Sequence, residues 1–185
     1  MNVYDFDGTI YRGDSSIDFY LFCLYSDPAL IKCLPKQLWG IVLYVLKIID
    51  KTKLKEKFFC FIKYIDIENF VYDFWNSNEN KIMKWYLDQK KEDDLIISAS
   101  PDFLLKNICE RLSIKNLIAT VFDTDNCKII GENCRGQEKL RRYKEQYGNV
   151  NIENFYSDSE SDLPLAKISK HSYKVKGVKA SDWIM

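Results

Sequence analysis

The sequence predicts an α/β fold, a parallel sheet with helices on both faces, interrupted after its first strand by an all-helical insert. Two observations predict it. Short runs rich in β-formers alternate with helical stretches over residues 91–185. Residues 14–90, by contrast, show no strand alternation and hold 16 of the 27 aromatic residues with a single glycine. At 185 residues the chain is long enough for one domain carrying a smaller insert.

Taken in order, residues 2–6 (Asn-Val-Tyr-Asp-Phe) form a strand-like run that ends in acidic residues and Gly8. In the insert, Ser15 or Ser16 is suited to cap a first helix and Pro35 to open a second, and residues 67–76 and 78–90 suggest two more. Residues 95–97 form the next strand, and Pro101 after Ser100 suits the first turn of a helix capped by that serine. Residues 117–121 follow as a strand, and residues 121–131 read as a β-hairpin around an Asp-Asn turn, projecting near the insert. Residues 136–147 and 159–169 have helical spacing, and residues 154–156 and 173–175 complete the strands. The expected division is a core of residues 1–13 and 91–185 with the insert at residues 14–90.

Composition narrows the chemistry. Apolar residues make up 46% and charged residues 29%, ordinary for a globular protein. Lysine plus arginine equals aspartate plus glutamate at 27 each, so no overall field favours nucleic acid as a partner. His171 is the only histidine, which leaves histidine phosphatases, zinc hydrolases and Ser-His-Asp triads little to work with. Six cysteines with no CxxC pair read as reduced thiols in a cytoplasm. The start, Met1 followed by Asn-Val-Tyr-Asp, predicts no secretory signal.

The first chemistry-bearing constellation is Asp5-Phe6-Asp7-Gly8-Thr9-Ile10. Two carboxylates spaced two apart at a strand's carboxyl end face one crevice, where ligands bind in open α/β sheets. Gly8 permits a tight turn whose amides are expected to face an anion. Ser98 places a hydroxyl at the end of the second strand, Lys139 opens a helix after Gly136, and Asp158 and Asp162 follow the strand at 154–156. Each has a bland alternative as a cap, a solvated charge or a turn former. All four elements in this order at these strand ends argue against it.

These motifs resemble the haloacid dehalogenase-like superfamily, in its phosphoserine-phosphatase-like branch. That family carries an aspartate pair after the first strand, a serine or threonine after the second, a lysine, and a closing acidic pair. Asp5 with Asp7, Ser98, Lys139, and Asp158 with Asp162 match them. The resemblance spans residue 2 to about residue 166, with DFDGT and SDSESDLPLA its specific pieces, and the insert fits the family's helical cap on a Rossmann-like core.

The resemblance implies a phosphatase in which Asp5 attacks phosphorus and Asp7 serves as general acid and base. Asp5, the Asp7 carbonyl and Asp158 would hold a hydrated magnesium ion, while Ser98 and Lys139 bind phosphoryl oxygens. Asp162 would orient Lys139 or a metal-bound water. Gly8, Thr9, Arg12, Asp14 and Ala99 are the candidate substrate-facing positions, and a small phosphorylated metabolite is the expected ligand. The chain departs from phosphoserine phosphatases in two ways. It has no arginine between residues 14 and 90, and Ser98-Ala99-Ser100-Pro101 replaces a serine followed by two glycines. Phosphotransfer, action on phospholipid phosphates at a membrane surface, and non-catalytic phosphoryl binding stand as alternatives.

One run stands apart. Residues 38–46 are uncharged and apolar on every helical face, and lysines at 47, 51, 53, 55 and 57 follow. It is too short to span a bilayer. The expectation is a buried cap helix followed by a lysine-rich solvated turn, with a helix lying on a membrane surface as the alternative.

Overall fold

Strand β1 (Asn2–Tyr4) opens the chain and five helices follow: α1 (Ser15–Ser26), α2 (Leu34–Val45), α3 (Lys51–Phe58), α4 (Ile67–Asn78) and α5 (Lys84–Gln89). The computed structural model describes residues 1–148 and 150–183, so the last two residues of the expected core span lie outside the described residues. Next come β2 (Leu95–Pro101), α6 (Asp102–Arg111), β3 (Asn116–Thr120), and an antiparallel hairpin of β4 (Phe122–Asp123) and β5 (Lys128–Ile129). The chain finishes with α7 (Gln137–Tyr147), β6 (Ile152–Ser157), α8 (Leu163–Ala166), β7 (Ser169–Lys176) and β8 (Lys179–Asp182).

The main sheet has the order β3-β2-β1-β6-β7-β8. All its pairings are parallel except that of β8 with β7. Val3 lies opposite Leu95 and Phe155, and Tyr4 opposite Ile96 and Tyr156. Alternation sends Val3, Leu95, Ile97 and Phe155 to a face packed with Tyr143 and Leu165, and Tyr4 and Ile96 to one packed with Leu104 and Ile108. Burial on both faces explains why residues 95–97 of β2 read as an unbroken apolar run. From β1 the chain builds outward through β2 and β3, then returns to add β6 on the other side. That reversal opens a crevice at the carboxyl ends of β1, β2 and β6.

The helices between Ser15 and Gln89 do not form an isolated core. Phe19, Phe74 and Trp75 belong to the cluster that holds Tyr4, Phe6 and Leu104, and the Trp75 indole donates to the Leu104 carbonyl at 2.8 Å. No helix among the described residues is long and apolar enough to cross a membrane.

Several expectations are corrected. Asp14 caps α1, its Oδ1 accepting from the amides of Ser16 and Ile17 at 3.0 Å, while Ser15 and Ser16 turn inward to Ser100. Ser100 lies within β2 and caps nothing, because Pro101 occupies the position before α6. The helix expected over 78–90 breaks where Ile82 bridges Tyr11 and the Met83 amide donates to the Ile10 carbonyl at 2.8 Å. The one expected over 159–169 shrinks to a 3-10 turn, Glu160–Asp162, and the single turn of α8. The lysine-rich turn after residue 46 is in fact α3, capped by Asp50, whose side chain accepts from the Lys53 amide at 2.7 Å.

The largest departure is α2. Its buried residues are Gln37 and Gly40, whereas Leu38, Trp39, Ile41, Val42, Val45 and Leu46 are exposed. Gln37 bonds the Tyr20 hydroxyl and the Phe58 carbonyl, and Gly40 lets the stem of Lys57 lie against the helix. A polar side chain and a glycine make the contact with the body, so the apolar side chains are left outside. The run over 38–46 is not a core helix.

Candidate active site

At the end of β1 the Asp5 amide continues the ladder, donating to the Tyr156 carbonyl at 2.9 Å. Phe6 is fully buried, so the alternating carboxylates of Asp5 and Asp7 face the crevice. The chain then folds back sharply. The Phe6 carbonyl accepts from the amides of Thr9, Ile10 and Tyr11, and Gly8 takes a φ of +70°. A β-carbon at Gly8 would collide with the Asp158 carboxylate, which lies directly over it. The expectation of anion-facing amides fails here: the Gly8 amide donates to the carbonyls of Tyr11 and Gly13, and the Thr9 amide to Phe6.

Lys139 enters from the first turn of α7. Gly136 precedes that helix with φ +59°, close to the Ser161 carbonyl, where a side chain would be crowded. The Lys139 ammonium donates to Asp5 Oδ1 and to Asp162 Oδ2, both at 2.7 Å, and only 2% of its side chain is exposed. Burial opposes its charge, but the two carboxylates outweigh this and hold its pKa above the ordinary value. Its third N–H remains for a ligand. Asp162 also accepts from the Ser157 hydroxyl at 2.8 Å, so two donors fix its carboxylate beside Lys139.

Asp7 is gripped from two elements. Its Oδ1 accepts from the Ser15 amide at 2.7 Å, at the start of α1, and its Oδ2 from the Ser100 hydroxyl at 2.5 Å. Burial pushes the Asp7 carboxyl up and the charge of Asp14 adds to this, with the Ser100 and Ser15 bonds pulling the other way. Burial likewise pushes Asp5 up to about 7, against the pull of Lys139.

Strand β2 breaks register between Ile97 and Pro101, and the bulge presents Ser98, Ala99 and Ser100 to the crevice. The Ser98 hydroxyl is buried and accepts from the Ser100 amide at 3.0 Å. The Ala99 carbonyl accepts from the Thr120 hydroxyl at 2.7 Å and from Lys55 Nζ at 2.5 Å. Sequence reasoning missed Ser100, and it missed Lys55 as a cation brought in by α3. Burial holds Lys55 below its ordinary pKa, against the pull of Asp7 and Asp14.

Asp5, Asp7, Ser98, Lys139 and Asp158 line one cavity of about 700 Å³, roofed by Ile17, Ile41, Leu54, Lys55 and Phe58. A larger and more open concavity of about 1200 Å³ beside α4 and α6 contains none of the motif residues, so the chemistry is assigned to the smaller one.

Two expected substrate contacts are absent. Arg12 is exposed and does not line the cavity: Tyr11 turns inward and alternation sends Arg12 out, its amide paired with the Lys81 carbonyl. Thr9 is fully buried and accepts from the Asp158 amide at 3.0 Å, which makes it a support for Asp158. Asp14 lines the cavity with one oxygen committed to the cap of α1.

Carboxylates outnumber cations along the cavity wall, and burial is the main cause that raises the pKa of Asp5, Asp7 and Asp158. Among the described residues no other residue donates a hydrogen bond to the Asp158 carboxylate. No three His, Cys, Asp or Glu side chains among the described residues form a metal cluster by themselves. The carboxylate oxygens of Asp5, Asp7 and Asp158 are hard donors, which would suit magnesium rather than zinc.

A family model described as haloacid dehalogenase-like hydrolase matches residues 3–167. No curated protein sequence matches the chain. Among solved structures, a protein of unknown function from Bordetella pertussis Tohama I aligns with a TM-score of 0.75 at 16% identity, over 93% of this chain and 87% of that one. A phosphoserine phosphohydrolase-like protein from Francisella tularensis subsp. tularensis SCHU S4 aligns at 0.57 and 18% identity, over 93% and 86%. A phospho-aspartyl intermediate analogue of phosphoserine phosphatase aligns at 0.58 and 14% identity, over 92% and 83%. With a family match over most of its length and this fold, the chain belongs to the haloacid dehalogenase-like hydrolases.

Proposed function

We propose that this hydrolase is a magnesium-dependent phosphatase acting on a phosphomonoester through a phosphoryl group carried transiently by Asp5. The observation that carries the reading is the Asp5–Lys139–Asp162 chain of 2.7 Å contacts, with Asp7 alongside in the same cavity. A carboxylate nucleophile, a fixed cation and a carboxyl that burial inclines to hold a proton are the parts the reaction needs.

Asp5 attacks phosphorus and the bond to the leaving oxygen breaks. Asp7, protonated at the outset, gives that oxygen its proton. Asp7 then takes a proton from water as the water oxygen attacks phosphorus, releasing phosphate and restoring the Asp5 carboxylate. Ser98 and the third N–H of Lys139 hold the phosphoryl oxygens. Asp5, the Asp7 carbonyl and Asp158 would hold magnesium, which when bound offsets the charge of phosphate and carboxylates. Lys55 takes the place Arg12 was expected to fill, a cation facing a further anionic or polar group of the substrate. The six free cysteines support a reducing compartment such as the cytoplasm.

Replacing Asp5 with asparagine is expected to abolish magnesium-dependent turnover of an aryl phosphate while the far-ultraviolet circular dichroism is unchanged. Turnover retained in that variant defeats the reading. Product analysis with added alcohols separates hydrolysis from phosphotransfer.

A further inference from the structure

The outer face of α2 inverts the usual order of a surface helix. Val45 is 71% exposed, Leu46 62% and Trp39 58%, and Leu38, Ile41 and Val42 are exposed with them. Along α1 the stripe Ile17, Leu21 and Tyr25 is exposed at four-residue spacing. The two faces meet at the active-site cavity, which Ile17 and Ile41 both line. An apolar surface of this extent on a folded chain marks an interaction site.

Charge identifies the occupant. Between Pro28 and Lys55 there are six lysines and one acidic side chain, Asp50, in a chain whose formal net charge is zero. Lys32, Lys36, Lys47 and Lys51 are exposed around the apolar helix. Trp39 and Tyr44, both exposed on α2, are the amphipathic rings that favour a membrane–water boundary. A second copy of the chain is the weaker fit, because a two-fold contact through this face brings its lysines against their own equivalents. An anionic lipid surface satisfies both the apolar side chains and the lysines.

We infer that the α1–α2 face docks on the surface of an anionic phospholipid bilayer, with α2 lying in the interface and the cavity mouth at head-group depth. From there the cavity receives a phosphomonoester borne by a lipid; this second half rests on the phosphatase reading. At 12 residues α2 is about 18 Å long, enough to lie in one leaflet but not to cross the bilayer.

The test is flotation of the full chain with phosphatidylcholine vesicles and with mixed phosphatidylcholine–phosphatidylglycerol vesicles. Binding is expected to the mixed vesicles, weakened at about 1 M salt. It should be accompanied by a blue shift of tryptophan emission, since Trp39 is the exposed indole among the described residues. Val45→Ser with Leu46→Ser should lower vesicle affinity roughly tenfold or more, and Lys36→Gln and Lys47→Gln roughly fivefold each. Both sets should leave kcat/KM on a soluble aryl phosphate unchanged, and the serine pair should lose activity on vesicle-borne phosphatidate. Asp5→Asn should float like the wild type, which separates docking from catalysis. Wild type that hydrolyses aryl phosphate but does not float overturns the docking alone. So does a dimer that the serine pair converts to monomer without any vesicle binding. Flotation without hydrolysis of vesicle-borne phosphatidate overturns the lipid-substrate half.

Discussion

Removing the buried cation of the site tests whether its geometry is held by charge. Lys139→Met keeps the length of the stem and deletes the ammonium. Because Lys139 Nζ lies 2.7 Å from an oxygen of Asp5 and of Asp162, those oxygens are at most about 5.4 Å apart. At an effective dielectric of about 20, two unit charges at that separation repel by roughly 3 kcal/mol. Both are nearly inaccessible to solvent, so screening relieves little of this. The variant is expected to lose about 3 kcal/mol at pH 8, a fall in Tm of roughly 6–12 °C for a chain of this size. The pH dependence follows from the sign of the shift. Without Lys139 the folded-state pKa of Asp5 rises further above its unfolded value, so the fold binds more protons than the unfolded chain. Stability then falls as pH climbs from the unfolded value towards the folded one, and the deficit should be small at pH 5. Thermal denaturation followed by circular dichroism at both pH values is the assay, with Lys139→Met/Asp162→Asn as the compensated control. An equal loss at pH 5 and pH 8, or no recovery in the double variant, would refute the electrostatic account.

Three further outcomes are expected. Gly8→Ala should cost roughly 1–2 kcal/mol through its positive φ, and, by pushing Asp158 aside, raise the magnesium concentration needed for half-maximal activity by about tenfold or more, read by magnesium titration. Lys55→Met should raise KM several-fold with a smaller change in kcat, since Lys55 lines the cavity roof; an unchanged KM removes it from substrate recognition. Arg141 and Arg142 hold the Glu138 carboxyl down to about 2, so Glu138→Gln should cost roughly 1 kcal/mol at pH 7. That stabilisation is present above the unfolded carboxyl pKa and is lost as pH falls towards 2, so the two melting curves should converge in acid.

The catalytic half of the fold was legible because its physics is local. Strands buried on both faces show as apolar runs, and Asp5, Asp7 and Asp158 sit where such runs end. Lys139 was readable because Gly136 and a helical pattern fix it to a helix start. What escaped notice depends on which way an element faces once packed. The apolar pattern of residues 38–46 is the same whether α2 turns its leucines in or out, and only the anchoring of Gln37 and Gly40 decides it. Lys55 was lost in a lysine-rich stretch that reads as solvated, although one turn of α3 carries it into the cavity. Ser100 gained its bond to Asp7 from a register break that no propensity announces. Strand β8 is short, has no large apolar side chain and is exposed throughout, and it pairs along the edge that β7 offers.

The grip of the Ser15 amide on Asp7 ties proton affinity to helix position. A donor to the charged form keeps a carboxyl acidic, so this one 2.7 Å contact works against the burial that inclines Asp7 to keep its proton. The helix that helps to roof the cavity therefore also eases the departure of the proton from the group beneath it.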